Sequence, residues 1–479
     1  MKKILLVIPL VILFVNFFYQ TDGPGVWSPT TTSVGRVLAI AINPANQQIM
    51  YCGSLDSGIM KSTNGGVNWF ASRTGMTYFH VQCLAIAPSN PNIIYAGTDS
   101  LGGYSNCGVY KSTDAGATWT LTSNAVIEQR SIQGIAVNSS DPNTVVIGVF
   151  NAQGNSTHGI YKTTNGGTTW AVANTGITSP NKNFLCITQN PLNPNVLYAG
   201  TSLEYVGTLT QGPPHIYKSV NGAASWFEIS SGLPTATTEN NPIREIAISK
   251  ADTAVGIAIM FNNTTNGGAY ITTNGGTLWV RKVTGLTTAA GNLPRGCIFR
   301  PGSSTEIYIA VENATAGGVF KTTNRGDVWT NFNSGAIIPA YPTRTFAFRA
   351  TSSDSTLFVG VGSTSVVNPP GMGIYEYSFP LVGINDPGSN IPKEFALHQN
   401  YPNPFNPATY INYDIPKASN VTITVYNING KEVSTLVNEF KQAGAYSISF
   451  NASSLASGVY FYKITAGDFT ATKKMTLIK

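Results

Sequence analysis

Four arginines, Arg36, Arg244, Arg295 and Arg344, stand at the entry of comparable short apolar runs along the chain. Gln82, Gln133 and Asn183 hold the same place in the runs between them. Guanidiniums converging on one mouth would favour a carboxylate or another anion, gripped by charge-assisted hydrogen bonds. Glycoside hydrolysis would need two facing carboxyl groups, about 5–10 Å apart. Loops on the same side offer Asp56, Asp99, Glu204 and Glu312, each of which also reads as an ordinary solvated loop charge. The longest loops, residues 98–107 and 202–214, carry Tyr104, Glu204 and Tyr205 and supply contact points beside the mouth. No Ser/His/Asp constellation or phosphate-cradling glycine loop is present. His80, His158, His215 and His398 are scattered without ligand spacing, so neither a metal nor another cofactor is expected.

The elements that must position these residues are short strands. Only 10% of the 479 residues are charged, against 48 Gly and 27 Pro, which argues against solvated helices, coiled coils and charge-driven disorder. The net charge of +6 forms no basic stripe, so nucleic acid is not an expected partner. A box of the form Ser/Thr-x-Asn/Asp-x-Gly-x-x-Trp recurs six times, with its tryptophans 50–56 residues apart. The boxes hold Asn64 and Trp69, Asp114 and Trp119, Asn165 and Trp170, Asn221 and Trp226, Asn274 and Trp279, and Asn324 and Trp329. Each follows one apolar strand and precedes another, with two more upstream, and four strands per repeat read as a propeller blade.

The hydroxyl and the Asn or Asp side chain can bond N–H groups of their own turn, and the glycine permits a positive φ. The boxes are therefore structural turns. Ala223 replaces that glycine in the fourth, which should be the least regular. A seventh unit has three strands and no box, and the segment around Trp27 supplies its missing outer strand. The expectation is an all-β, seven-bladed β-propeller over residues 22–380, ring-closed by the N-terminal strand so that no blade edge stays unpaired.

The boxes resemble those of the Asp-box (BNR) propellers, a group of sialidases, sortilin-type receptors, xyloglucanase-type glycoside hydrolases and photosystem assembly-factor proteins. The resemblance implies fold more than function, since the group holds both enzymes and binding proteins. A sialidase would use the arginines as a carboxylate-binding triad, with a Tyr–Glu pair and an acid. Tyr341, Glu245 and Asp99 are of the right types, but no spacing supports them and no Arg-Ile-Pro segment precedes the boxes. Xyloglucanase-type enzymes resemble a tandem of two propellers, where this chain has one. The preferred reading is a binding propeller for a protein or glycan, with a glycoside hydrolase as the alternative.

Lys2, Lys3 and the apolar residues 4–15 have the form of a secretory signal peptide, placed at residues 1–20. Five cysteines, odd in number, allow one disulfide after export without assigning it. Beyond a linker at 381–391, residues 392–479 read as alternating strands with a hairpin signal at Asn429-Gly430, hence a small Ig-like β-sandwich. This tail resembles the type A C-terminal sorting domain of the type IX secretion system. The matching segments are QNYPNPFNP at 399–407, VYNINGKEV at 425–433, LASGVYFYKI at 455–464 and KKMTLIK at 473–479. The resemblance implies Sec export to the periplasm, passage through the outer membrane by that machinery, and release or surface attachment.

Overall fold

A computed structural model describes residues 27–30, 34–100, 106–122, 127–150, 158–179, 182–202, 204–206, 208–210, 213–235, 241–261, 266–286, 293–312, 317–333, 343–350, 355–361, 373–379, 392, 394–400, 402–441 and 443–478. The signal segment at 1–20, Tyr104, Tyr341 and the linker at 381–391 lie outside these residues. Two compact units divide at Phe379/Pro380.

In the first unit, seven four-stranded antiparallel sheets follow one another. Their innermost strands are Val37–Ile42, Val81–Ile86, Ser131–Val137, Phe184–Asn190, Ile243–Ile248, Leu293–Phe299 and Thr343–Ala350. Each packs beside the next, and the seventh packs beside the first, closing a ring around a central channel. Three of the second strands, Met50–Ser54, Ile94–Thr98 and Gly256–Met260, are buried along their whole length. Neighbouring sheets cover both of their faces, which is why they read as unbroken apolar or small-residue runs rather than alternating ones.

Each box closes on itself in the same way. In the first, Gly66 N–H donates to Ser62 Oγ at 2.9 Å and Asn68 N–H to Asn64 Oδ1 at 2.9 Å. The fourth box departs from its expected irregularity. Ala223 N–H still donates to Ser219 Oγ at 2.9 Å and Ser225 N–H to Asn221 Oδ1 at 2.9 Å, with Ala223 held at φ 66°. A methyl group is small enough to accept the left-handed conformation at a cost of about 1 kcal/mol, and the turn's own bonds hold it there.

Four of the six box tryptophans tie blades together, while Trp69 donates to Gly66 O of its own box. Trp119, Trp226, Trp279 and Trp329 donate their indole N–H to carbonyls just past the outer strand of the preceding blade, at Ser72, Ala173, Ile229 and Lys282, over 2.7–3.0 Å. The seventh sheet takes its outer strand from Trp27–Pro29, which pairs with Gly373–Ser378, Trp27 opposite Tyr377. Trp27 Nε1 donates to Phe332 O at 2.6 Å, the tie that a box tryptophan makes, from a segment with no box.

A second series of ties runs along the ring. Lys61, Lys111, Lys162 and Lys218 each donate Nζ to a carbonyl in the next blade's box, at Ala115, Gly166, Gly222 and Gly275. Arg349 makes the closing tie, to Gly65 O. In the fifth blade the corresponding residue is the buried Ile271, so this tie is missing between blades five and six.

The second unit is a β-sandwich. One sheet has the order Glu432–Lys441, Ser419–Asn427, Gly458–Ala466, Phe469–Leu477. The other has Ala396–Leu397, Ala408–Ile415, Gly444–Asn451. Alternate side chains from both, including Ile411, Tyr413, Ile423, Val425, Phe450, Tyr462, Ile464 and Met475, fill the core. The QNYPNPFNP segment pins the last strand. Thr476 N–H donates to Asn403 Oδ1 at 2.9 Å, Phe405 N–H to Thr476 O at 2.9 Å and Ile478 N–H to Phe405 O at 3.0 Å. Asn400, buried, donates its backbone N–H to the Tyr462 hydroxyl oxygen at 2.8 Å and its side-chain amide N–H to Thr409 Oγ1 at 3.0 Å.

Candidate functional site

Six of the seven inner strands share one irregularity. Their pairing with the second strand skips a residue between Val37 and Ala39, Val81 and Cys83, Ile132 and Gly134, Phe184 and Cys186, Ile243 and Glu245, and Pro294 and Gly296. The skipped residue of such a bulge is re-aimed out of the sheet. Here the skipped residues are Leu38, Gln82, Gln133, Leu185, Arg244 and Arg295, and all six line a single channel cavity of about 280 Å3. In the seventh blade Thr345 meets Gly360 as Cys83 meets Gly97 and Cys186 meets Gly200, which puts Arg344 at the equivalent backbone position.

The ring therefore runs Leu38, Gln82, Gln133, Leu185, Arg244, Arg295, Arg344. Arg36 and Asn183 stand two residues before their blades' bulges. Arg36 is held by Asp56 through both its backbone N–H and its guanidinium, an ion pair that raises the arginine's pKa and lowers the aspartate's. Asn183 is buried, and its carbonyl accepts Ser202 N–H at 2.7 Å. The two leucines carry no polar signal in the sequence. What marks their position is the small residue that follows the bulge in five blades: Ala39, Cys83, Gly134, Cys186 and Gly296.

The two polar arcs of the ring are built differently. In the first, Gln82 Nε2 donates to Asp99 Oδ2 at 2.8 Å and Ser131 Oγ to Asp99 Oδ1 at 2.6 Å, while Gln133 Nε2 donates to Ser131 Oγ at 2.6 Å. Asp99 and Ser131 are buried. In the second arc, Phe261 takes the place of Asp99, and both guanidiniums lie over its ring, Arg295 at 4.1 Å and Arg244 at 4.9 Å from the centroid. A π-face attracts a cation without neutralising it. Arg295 also donates Nε to Glu312 Oε2 at 2.5 Å.

Glu245 lies in the channel wall beside them and accepts Cys297 N–H at 3.0 Å. Desolvation pushes its carboxyl up to about 8, only partly opposed by that bond, so it stays protonated at neutral pH. Glu204 and Tyr205 fall in a hairpin of Glu204–Val206 against Thr208–Thr210. All five cysteines are free thiols. Burial pushes up Cys52, Cys83, Cys107, Cys186 and Cys297, so none is a poised nucleophile.

Residues 399–479 match the family of secretion system C-terminal sorting domains. No curated protein is significantly similar in sequence. Among solved structures, the chain is similar to the GH74 xyloglucanase from Xanthomonas campestris, at 12% identity and a TM-score of 0.52, over 81% of this chain and 59% of that one. It is also similar to a GH74 enzyme from Niastella koreensis, at 17% identity and a TM-score of 0.51, over 95% of this chain and 75% of that one. It spans 40% of an ancestral GH74 enzyme, at 16% identity and a TM-score of 0.38 over 87% of this chain. The first two of these likenesses concern the propeller fold alone. The chain is thus a seven-bladed β-propeller that carries a secretion system C-terminal sorting domain, which marks it for export to the cell surface or beyond.

Proposed function

We propose that the exported chain is a binding protein whose propeller takes an anionic ligand at the channel mouth, with residues 392–479 as its type IX sorting signal. The observation that carries this reading is the placement of Arg244 and Arg295 on consecutive bulges, both over Phe261 and both lining one cavity. A desolvated, pre-ordered guanidinium pair binds a carboxylate more strongly than mobile surface arginines would. Glu245 supports the reading by being neutral, so it does not cancel the charge beside it. Residues 1–20 serve as the signal peptide for the first export step.

The test is calorimetry of the full chain with carboxylate probes of increasing size, repeated on Arg295→Gln. Saturable binding that weakens at least tenfold in the variant supports the reading; equal binding by both overturns it. The hydrolase reading draws on Glu245, whose protonated state suits a general acid. It needs a second carboxylate, and Asp56, Asp99 and Glu312 are already tied to Arg36, to Gln82 with Ser131, and to Arg295. Release of sugar from xyloglucan or sialosides, abolished by Glu245→Gln, would establish it in place of binding.

A further inference from the structure

The two arcs of the channel mouth differ in polarity, and hydrogen-bond logic fixes the sense of that difference. The Asp99 carboxylate can only accept. Gln82 must therefore present its NH2 to Asp99, and Ser131 must spend its hydroxyl proton there. With that proton spent, Ser131 Oγ can only accept, so Gln133 in turn must present its NH2. One buried carboxylate thus sets the orientation of both amides. Their carbonyl oxygens accept no other hydrogen bond among the described residues, and both side chains line the cavity. Blades two and three therefore offer two acceptor oxygens backed by a negative charge. Blades five and six offer guanidinium donors, of which Arg295 bonds Glu312 through Nε alone among the described residues. Leu38 and Leu185 separate the arcs on either side.

We infer that the ligand of this mouth is a zwitterion: a carboxylate set against Arg244 and Arg295, and an ammonium set against Gln82 and Gln133, joined by an apolar spacer that crosses between the leucines. This deepens the anion-binding reading and rests on it. A plain anion would satisfy one arc and leave two desolvated acceptors facing its tail, a loss that a site built from hydrogen-bonding groups penalises. A plain cation would fail at the other arc.

Calorimetry on the full chain tests this with three probes of similar length: hexanoate, hexylamine and 6-aminohexanoate, with 4-aminobutyrate as a shorter zwitterion. The expected result is that one zwitterion binds at least tenfold more tightly than either singly charged probe. Asp99→Asn should remove the zwitterion's advantage over hexanoate, whereas Arg295→Gln should weaken both. Because Asp99 is buried, Gln133→Leu serves as the second variant, with the same expected pattern and thermal melting to confirm the fold. If hexanoate binds as tightly as either zwitterion, and neither Asp99→Asn nor Gln133→Leu discriminates them, the zwitterion inference falls while the anion mouth stands. If no probe binds, both fall.

Discussion

The propeller borrows its last outer strand from its own first described residues, whereas the sorting domain uses its opening segment to pin its own last strand. One unit is closed by a pairing backed by an aromatic cluster, with Trp27 against Tyr377 at 5.5 Å and edge-on to Phe332 at 6.1 Å. The other is closed by polar side chains that bridge backbone to backbone. The difference teaches where each closure draws its strength. The propeller's is mainly a matter of burial, tolerant of polar change, while the sandwich's depends on Asn400 and Asn403 meeting fixed partners.

The comparison breaks if the two closures are not independent. Trp27→Ala should cost the propeller about 4 kcal/mol and lower its calorimetric transition while leaving that of the sandwich in place; a joint shift would show one cooperative unit. Glu245→Gln should act on the propeller alone and in a pH-dependent way. The folded ring holds a proton that the unfolded chain releases in the ordinary carboxyl range. The stability this proton supplies is full below that range and falls as pH rises towards about 8. Wild type and variant should match near pH 4 and diverge by up to about 1.4 kcal/mol per pH unit between those limits, the variant being the more stable. Melting curves across pH 4–9 read this directly, and parallel curves would show that burial does not hold the proton. Asn400→Ala should cost the sandwich about 2 kcal/mol, seen as a lower denaturant midpoint of its transition only. Smallest is Ala223→Gly, expected to raise propeller stability by about 1 kcal/mol, since it relieves a left-handed alanine without touching the turn's bonds. No change there would mean that the turn stores no strain.

Blade number was legible because each box is a local device: its hydroxyl, amide and glycine act within a few residues, so the sequence states the turn in full. The seventh unit and Trp27 were legible by subtraction, since six boxes leave one unit a strand short and one tryptophan over. The channel mouth was only partly so. Gln82, Gln133, Arg244 and Arg295 stood out as polar residues at strand entries, but the bulge that aims them is a property of pairing between two strands. Counting from strand starts therefore gave Arg36 and Asn183 in place of Leu38 and Leu185. The partners of the carboxylates were hidden more deeply. Asp56 sits 20 residues from Arg36, and Asp99 sits 32 residues from Ser131. Nothing in either segment announces the other, and Phe261 reads as one more core aromatic until two guanidiniums are found over it.

The bolt between the sandwich's first motif and its last strand carries an implication for timing. The chain is synthesised from its N-terminus, but the partners of Asn403 and Phe405 are Thr476 and Ile478. The export address therefore cannot be completed until those residues have been translated, by which point every blade has already been synthesised. A product that stops short of Thr476 would carry every blade and a sandwich whose opening motif has nothing to pin.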